Sequence, residues 1–448
     1  MKKRATGCLI MGMMAAAVLT GCSAYGKKQN TGQDGKTSAA VAETEKNETK
    51  KVSRKRVSIE AIQAENLTDQ LEELLCIDYL RPSCKPVQDF SYRLFLQSME
   101  EENPVLSPVS AYLALGMVSE GAKGETLDEF HAILDESECL PDYLMNILPR
   151  EEEGMTISLA NSVWVDEKME PDQQYLTKIN SFFDAEVYRS NLGGEQTMED
   201  INTWVNYHTN GMIPKLLEMP LAEEDRLALF NTIYFKGGWA DGFDANSTRQ
   251  KDFHTEDGEE LAVDMMQKYG EYQQYIKGTE TEGVLLPYKD ETIAFVALKP
   301  AANSTVREMC SQLTWEKISQ LIRNRERTLC NLKLPKFEIT FSKKLNDSLK
   351  NMGLTKAFDG READLTGLGS TQDGENLFIS LVQQDAAIIV DENGTEAAAV
   401  TEVVISERAV EYVSSPINVI FDTPFLYMIV DLENEIPLFI GIMDNPNA

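Results

Sequence analysis

Basic residues, histidine and catalytic signatures are all scarce in this 448-residue chain. Lys and Arg number 42 against 73 Asp and Glu, giving a formal net charge of −31 at pH 7. A surface this acidic repels phosphate backbones, so nucleic acid is excluded as a partner. The three histidines (His131, His208 and His254) read as solvated helix or turn residues, without the spacing of a metal site. No G-x-S-x-G elbow, phosphate-binding loop or dinucleotide fingerprint occurs. Neither metal nor cofactor is expected, and an enzyme becomes the weaker class. Cysteine forms no framework either. Apart from Cys8 and Cys22, the five thiols (Cys76, Cys84, Cys139, Cys310, Cys330) are odd in number and lack C-x-x-C spacing. Cys76 and Cys84 could pair, but scattered structural thiols fit better. The apolar run over 9–19 is too short to cross a bilayer.

That run belongs to a leader. Lys2, Lys3 and Arg4 precede it, and Leu19-Thr20-Gly21-Cys22 follows it. The tetrapeptide resembles a bacterial lipobox, which implies cleavage before Cys22 and lipid on its thiol and new amino group. The mature chain is then expected on the cell envelope, tethered outside the cytoplasm. Residues 23–57 are too poor in apolar side chains to order themselves. They read as a disordered tether spanning roughly 30–35 Å. Its basic cluster (Lys50, Lys51, Arg54, Lys55, Arg56) reads as solvated linker, with contact to an anionic envelope surface or tryptic release as alternatives.

Residues 58–448, with a core from about 86, form one expected domain, since no second linker, repeat or low-complexity break appears. Apolar periodicity predicts helices over 71–80, 87–99, 111–120, 173–183 and 201–210. Strands are predicted over 156–165, 227–235, 283–288, 292–299, 331–341, 377–382, 417–421, 424–431 and 437–443. Helices dominate the first half and strands the second, so the fold class is α+β.

One stretch resists an ordinary reading. After the apolar run 386–390 comes Asp391-Glu392-Asn393-Gly394-Thr395-Glu396-Ala397-Ala398-Ala399, continuing to Ala409. Asn393-Gly394 signals a turn. By parity, one face of 395–405 holds Thr395, Ala397, Ala399, Thr401, Val403 and Ile405 and no charge; the other holds both acids, Glu396 and Glu402. Period two lets one face enter a core while the other stays wet. Three adjacent alanines are nonetheless poor strand formers. The segment suits a chain that is mobile first and slides between strands later.

Val390 to Ala399 resembles the proximal hinge of a serpin reactive loop. The resemblance extends from about 87 to the C-terminus. Leu106-Ser107-Pro108 with Gly121-Ala122-Lys123-Gly124-Glu125-Thr126, Asn161-Ser162-Val163-Trp164-Val165, Ile201-Asn202-Thr203-Trp204-Val205 and Asn231-Thr232-Ile233-Tyr234-Phe235-Lys236-Gly237-Gly238-Trp239 match in order. Leu334-Pro335-Lys336-Phe337, Asp364-Leu365-Thr366-Gly367-Leu368, Pro424-Phe425-Leu426 and Pro437-Leu438-Phe439-Ile440-Gly441 follow. The resemblance implies a serpin fold of three β-sheets and about nine helices, with an exposed reactive loop over about 392–415.

It also implies an inhibitor of serine proteases, and by extension of cysteine proteases, that is cut in its loop and traps the acyl-enzyme. Ser107, Pro108, Ser110 and Asn231 match the region where the central sheet parts, and Trp239 the top of the gap. Glu392 and Lys336 match a hinge pair. Gln384 stands where the family often has histidine, which implies altered hydrogen bonding. Gly394, Thr395, Glu396, Ala397, Ala398 and Ala399 form the hinge. Counting from Glu392 places the reactive bond at Arg408–Ala409, a trypsin-like site. Cleavage after Val404, Ile405 or Glu407 would point instead to elastase-like or glutamyl proteases. The protein is expected to act as a monomer. A non-inhibitory serpin serving as a binding or folding-helper module is the alternative, although the inserting face lacks the proline, charge or bulk it should carry.

Overall fold

The computed structural model describes residues 58–59, 82–135, 140–152, 154–301, 304–395 and 415–448. Nine α-helices lie among them: α1 (Lys85–Leu96), α2 (Pro108–Ser119), α3 (Gly124–Leu134), α4 (Leu140–Ile147), α5 (Gln173–Phe183), α6 (Glu195–His208), α7 (Val306–Gln312), α8 (Trp315–Arg323) and α9 (Asn346–Met352). Helix α2 is apolar on every side, so it can only be a core helix, and nearly all of it is buried. Pro108 occupies its first turn, where a missing N–H costs nothing. The helix expected over 71–80 lies outside the described residues.

Three sheets are present among the described residues. The central one has seven strands in the order β12 (Phe337–Lys344), β14 (Gln383–Val390), β15 (Gly394–Thr395), β6 (Leu227–Gly238), β3 (Met155–Asp166), β2 (Arg150–Glu152), with β5 (Ala185–Ser190) parallel to β3. The second has nine: β1 (Val105–Leu106), β18 (Ile436–Met443), β17 (Phe425–Asp431), β10 (Ile293–Pro300), β9 (Thr281–Pro287), β8 (Glu260–Lys277), β11 (Glu326–Pro335) and β16 (Ile417–Ile420), with β7 (Arg249–His254) on β8. A two-stranded sheet pairs β4 (Met169–Pro171) with β13 (Gly369–Thr371).

The central sheet separates two apolar layers. Along β3, Val163 and Val165 join the main core with α1 and α2. Trp164, on the opposite face, packs with Tyr188, Ile201 and Trp204 in a second cluster beneath α6. Strand period two therefore sends alternate residues of one segment into different cores.

Several boundaries differ from the sequence reading. The strand expected over 331–341 is two strands, because Lys336 leaves the ladder and the chain passes from the nine-stranded sheet (β11) to the central one (β12). Residues 377–382 are irregular, and β14 starts only at Gln383. Helix α6 begins six residues before the expected 201, where polar residues hid the periodicity. His208 is half-buried rather than solvated, 4.5 Å from the Trp204 ring and 3.9 Å from Glu186. Among the described residues the buried thiols of Cys310 and Cys330 are unpaired; Cys76 and Cys139 lie outside them.

Candidate site: a slot in the central sheet

Strands β14 and β6 are neighbours in the sheet only through β15, which is two residues long. Val390 pairs with Thr395, while Gly394 and Thr395 pair with Gly238 and Gly237. Among the described residues no other ladder joins β14 to β6. The result is a slot one strand wide that, among the described residues, is filled only at its upper end. Lower down, a groove enclosing about 100 Å³ runs between Leu227–Asn231 of β6, residues 376–384 and the α2 side chains Ala111, Leu115 and Val118.

The upper end is built around a turn. Asp391 Oδ1 accepts the N–H groups of Asn393 (2.7 Å) and Gly394 (3.2 Å), an Asx turn. Its N–H donates to Gly394 O at 2.9 Å. Gly394 sits at φ +152°, and a Cβ there would lie 2.0 Å from Gly237 O. Only glycine permits so close a backbone approach. Thr395 is buried, and its hydroxyl meets the Tyr288 hydroxyl at 2.6 Å. Burial pushes the Tyr288 phenol far above its ordinary pKa, so it stays protonated. Trp239 stacks on Tyr288 at 4.8 Å, its indole N–H donates to Asp391 O (2.9 Å) and its amide to Asn393 O (2.9 Å). Glu392 is held by Lys336 Nζ at 2.8 Å and by the Thr248 hydroxyl at 2.7 Å. Burial pushes the Glu392 carboxyl up, but the Lys336 and Thr248 hydrogen bonds outweigh it and hold the group below the usual carboxylate range. The carboxylate in turn raises Lys336.

A second cluster lies lower, where the N-terminus of α2 meets both flanks of the slot. Gln384 of β14 grips the backbone of one residue: its Oε1 accepts the Ser107 N–H (3.0 Å) and its Nε2 donates to Ser107 O (2.7 Å). From β6, Asn231 accepts the Ser110 hydroxyl and donates to Asn161 Oδ1 (2.5 Å), and Asn161 donates to Phe183 O (2.6 Å). Gln384 thus forms a two-point amide clamp on Ser107. Ser107 Oγ is buried without a partner among the described residues.

Of the candidate residues, Ser107, Pro108, Ser110, Asn231 and Gln384 meet in the lower cluster; Trp239, Lys336, Glu392, Gly394 and Thr395 meet in the upper one. Glu396, Ala397, Ala398, Ala399, Arg408, Ala409 and Cys22 lie outside the described residues. Sequence reasoning missed Tyr288, Thr248, Asn161 and Asp391. Nothing local marks the first three, whereas Asp391 two residues before Asn-Gly is an Asx-turn signal.

Comparison with known proteins agrees with this architecture. The sequence model of the family described as "Serpin (serine protease inhibitor)" matches residues 85–446. Iripin-5 of Ixodes ricinus is 34% identical over 358 residues, covering 77% of this chain and 90% of its own. Alpha-1-antiproteinase F of Cavia porcellus is 32% identical over 367 residues, with 79% and 88% covered. The crystal structure of tengpin, a thermophilic serpin, in its native state superposes with a TM-score of 0.76 at 33% identity, covering 86% of this chain and all of that one. Its latent state gives 0.70 at 32%, covering 81% and 98%.

Proposed function

The chain belongs to the serpin family, and from that premise we propose that it is a serine-protease inhibitor acting as a suicide substrate. The observation that carries this reading is the slot, flanked by β14 and β6 and occupied, among the described residues, only by Gly394 and Thr395. A chain already threaded into the top of a sheet can continue downward as a full strand once its far end is freed.

The proposed sequence starts when a protease serine attacks the carbonyl carbon of Arg408. The Arg408–Ala409 bond breaks, the proton goes to the new amino group of Ala409, and Arg408 is left as an ester on the protease. Residues 394–408 then enter the slot. Fifteen extended residues span about 50 Å, enough to carry the protease across the molecule and distort its site before water reaches the ester. If some ten ladder bonds form at about 0.5–1.5 kcal/mol each, insertion releases on the order of 5–15 kcal/mol. That equals a typical domain's whole stability. An arginine at the cut selects a trypsin-like protease, whose pocket offers an acid to the guanidinium. The proposal extends to a monomer carrying lipid on Cys22 and held on the envelope outside the cytoplasm.

The test is to mix the protein with trypsin-like and elastase-like proteases and look for an SDS-resistant adduct. The released peptide should begin at Ala409. Cleavage without adduct, by every protease tried, would leave a substrate or a binding module in place of an inhibitor. Cys22→Ser should abolish incorporation of labelled fatty acid.

A further inference from the structure

Asn393 precedes a residue that the fold requires to be glycine. A Cβ at Gly394 would lie 2.0 Å from Gly237 O, so no larger residue fits there. Glycine also leaves its own backbone nitrogen unshielded, and the asparagine side chain just before it is open to attack by that nitrogen. Asparagine is counted among the thermolabile residues. Asn393 is half-buried, at the border between the sheet and solvent.

The backbone on both sides of this dipeptide is tied down. The Phe243 N–H donates to Glu392 O, the Trp239 N–H to Asn393 O and the Asp391 N–H to Gly394 O, each at 2.9 Å. The attacking nitrogen is itself committed, because the Gly394 N–H donates to Asp391 Oδ1 at 3.2 Å. Gly394 also faces Gly238 across the ladder. Ring closure strips the proton from that N–H and draws the nitrogen onto the Asn393 side-chain carbon. It therefore competes with the contacts that seat β15.

We propose that Asn393 is a site of spontaneous chemical modification, masked while β15 is seated and uncovered when it leaves the sheet. In the open hinge Gly394 N attacks Asn393 Cγ. The N–Cγ bond forms, the Cγ–Nδ2 bond breaks, and the proton from Gly394 N departs with Nδ2 as ammonia. Water then opens the cyclic imide. Addition at Cγ leaves aspartate, and addition at the backbone carbonyl leaves isoaspartate. Isoaspartate routes the backbone through Cβ and Cγ, which inserts an extra atom ahead of Gly394. The modified hinge cannot then pair Gly394 with Gly238 while the carbonyl of residue 393 accepts the Trp239 N–H. The mark is permanent and records that the hinge has been out of the sheet. Its consequence for inhibition, a marked loop cut as plain substrate, rests on the inhibitor reading; the chemistry does not.

The experiment incubates the full chain in mildly alkaline buffer, folded and in urea, and follows the peptide containing Asn393. Its mass reports ammonia lost and water gained, and isoaspartyl methyltransferase labelling reports isoaspartate. The folded chain should be marked at least about tenfold more slowly than the unfolded one, because local opening must come first. Asp391→Ala, which removes the acceptor of the Gly394 N–H, should speed marking of the folded protein about tenfold. Thr395→Arg should do so with Asp391 intact, by expelling β15. Each variant is first shown to unfold cooperatively in urea, and Asn393→Gln should carry no mark. A folded wild type marked within about twofold of the unfolded rate overturns the masking, as do two folded variants no faster than wild type. Isolated isoaspartyl protein should lose exchange protection at the Trp239 amide; retained protection overturns the claim that it cannot reseat. Absence of any protease adduct with unmarked wild type would end the inhibitor reading and leave these rates to decide the modification.

Discussion

The slot is governed by a few side chains whose hydrogen bonds cannot be replaced by water. Gln384 bonds both backbone polar groups of the buried Ser107, whose carbonyl also accepts the Ala111 N–H. Gln384→Ala should therefore strand the Ser107 N–H and cost about 1–3 kcal/mol, visible as a lower urea midpoint with unchanged slope. An amide does not titrate, so this clamp is constant across physiological pH, where histidine would change charge. Glu392 behaves differently. Its carboxyl is held below the usual range in the folded state, so it contributes stability above the unfolded value of about 4.3. That contribution is lost as pH falls through the folded value. Wild type should exceed Glu392→Gln in urea midpoint at pH 7, and the difference should shrink progressively below pH 4.

At the scale of elements, β15 is the part that would grow under the proposed mechanism. Its two residues would set the register for that growth, since Gly394 faces Gly238 and Thr395 faces Gly237. Thr395 sits among Tyr288, Gly237 and Val390 with 2% of its surface exposed. Thr395→Arg should place an uncompensated charge there, expel β15 and slow insertion against deacylation. More of the molecules would then be cut as plain substrate. The stoichiometry of inhibition, titrated with a trypsin-like protease, should rise at least about tenfold.

For the whole molecule the central quantity is the difference between the sheet as built and the sheet with one more strand. If insertion releases on the order of 5–15 kcal/mol, the cut form should melt about 10–30 °C above the uncut one, at roughly 2 °C per kcal/mol for a domain of this size. Calorimetry of intact and loop-cut protein measures this directly. Coincident transitions would leave no reserve to drive trapping. The difference should survive at high salt, because the ladder it reports is made of neutral hydrogen bonds and apolar burial, which salt does not screen.

Composition and local pattern alone determined the α+β class, the buried character of α2, the extent of α5 and the turn at Asn393-Gly394, because each depends on neighbours in sequence. The ordered motifs from Leu106 to Gly441 carried the family. Tertiary structure decided what no window could hold: that Lys336 divides two strands between two sheets, that Tyr288 and Thr248 meet the hinge from 107 and 144 residues away, and that Ser58 reaches Asp200. A slot exists only as a relation between strands β14 and β6, which are joined through β15 and tied to the N-terminal end of α2 by Gln384 and Asn231.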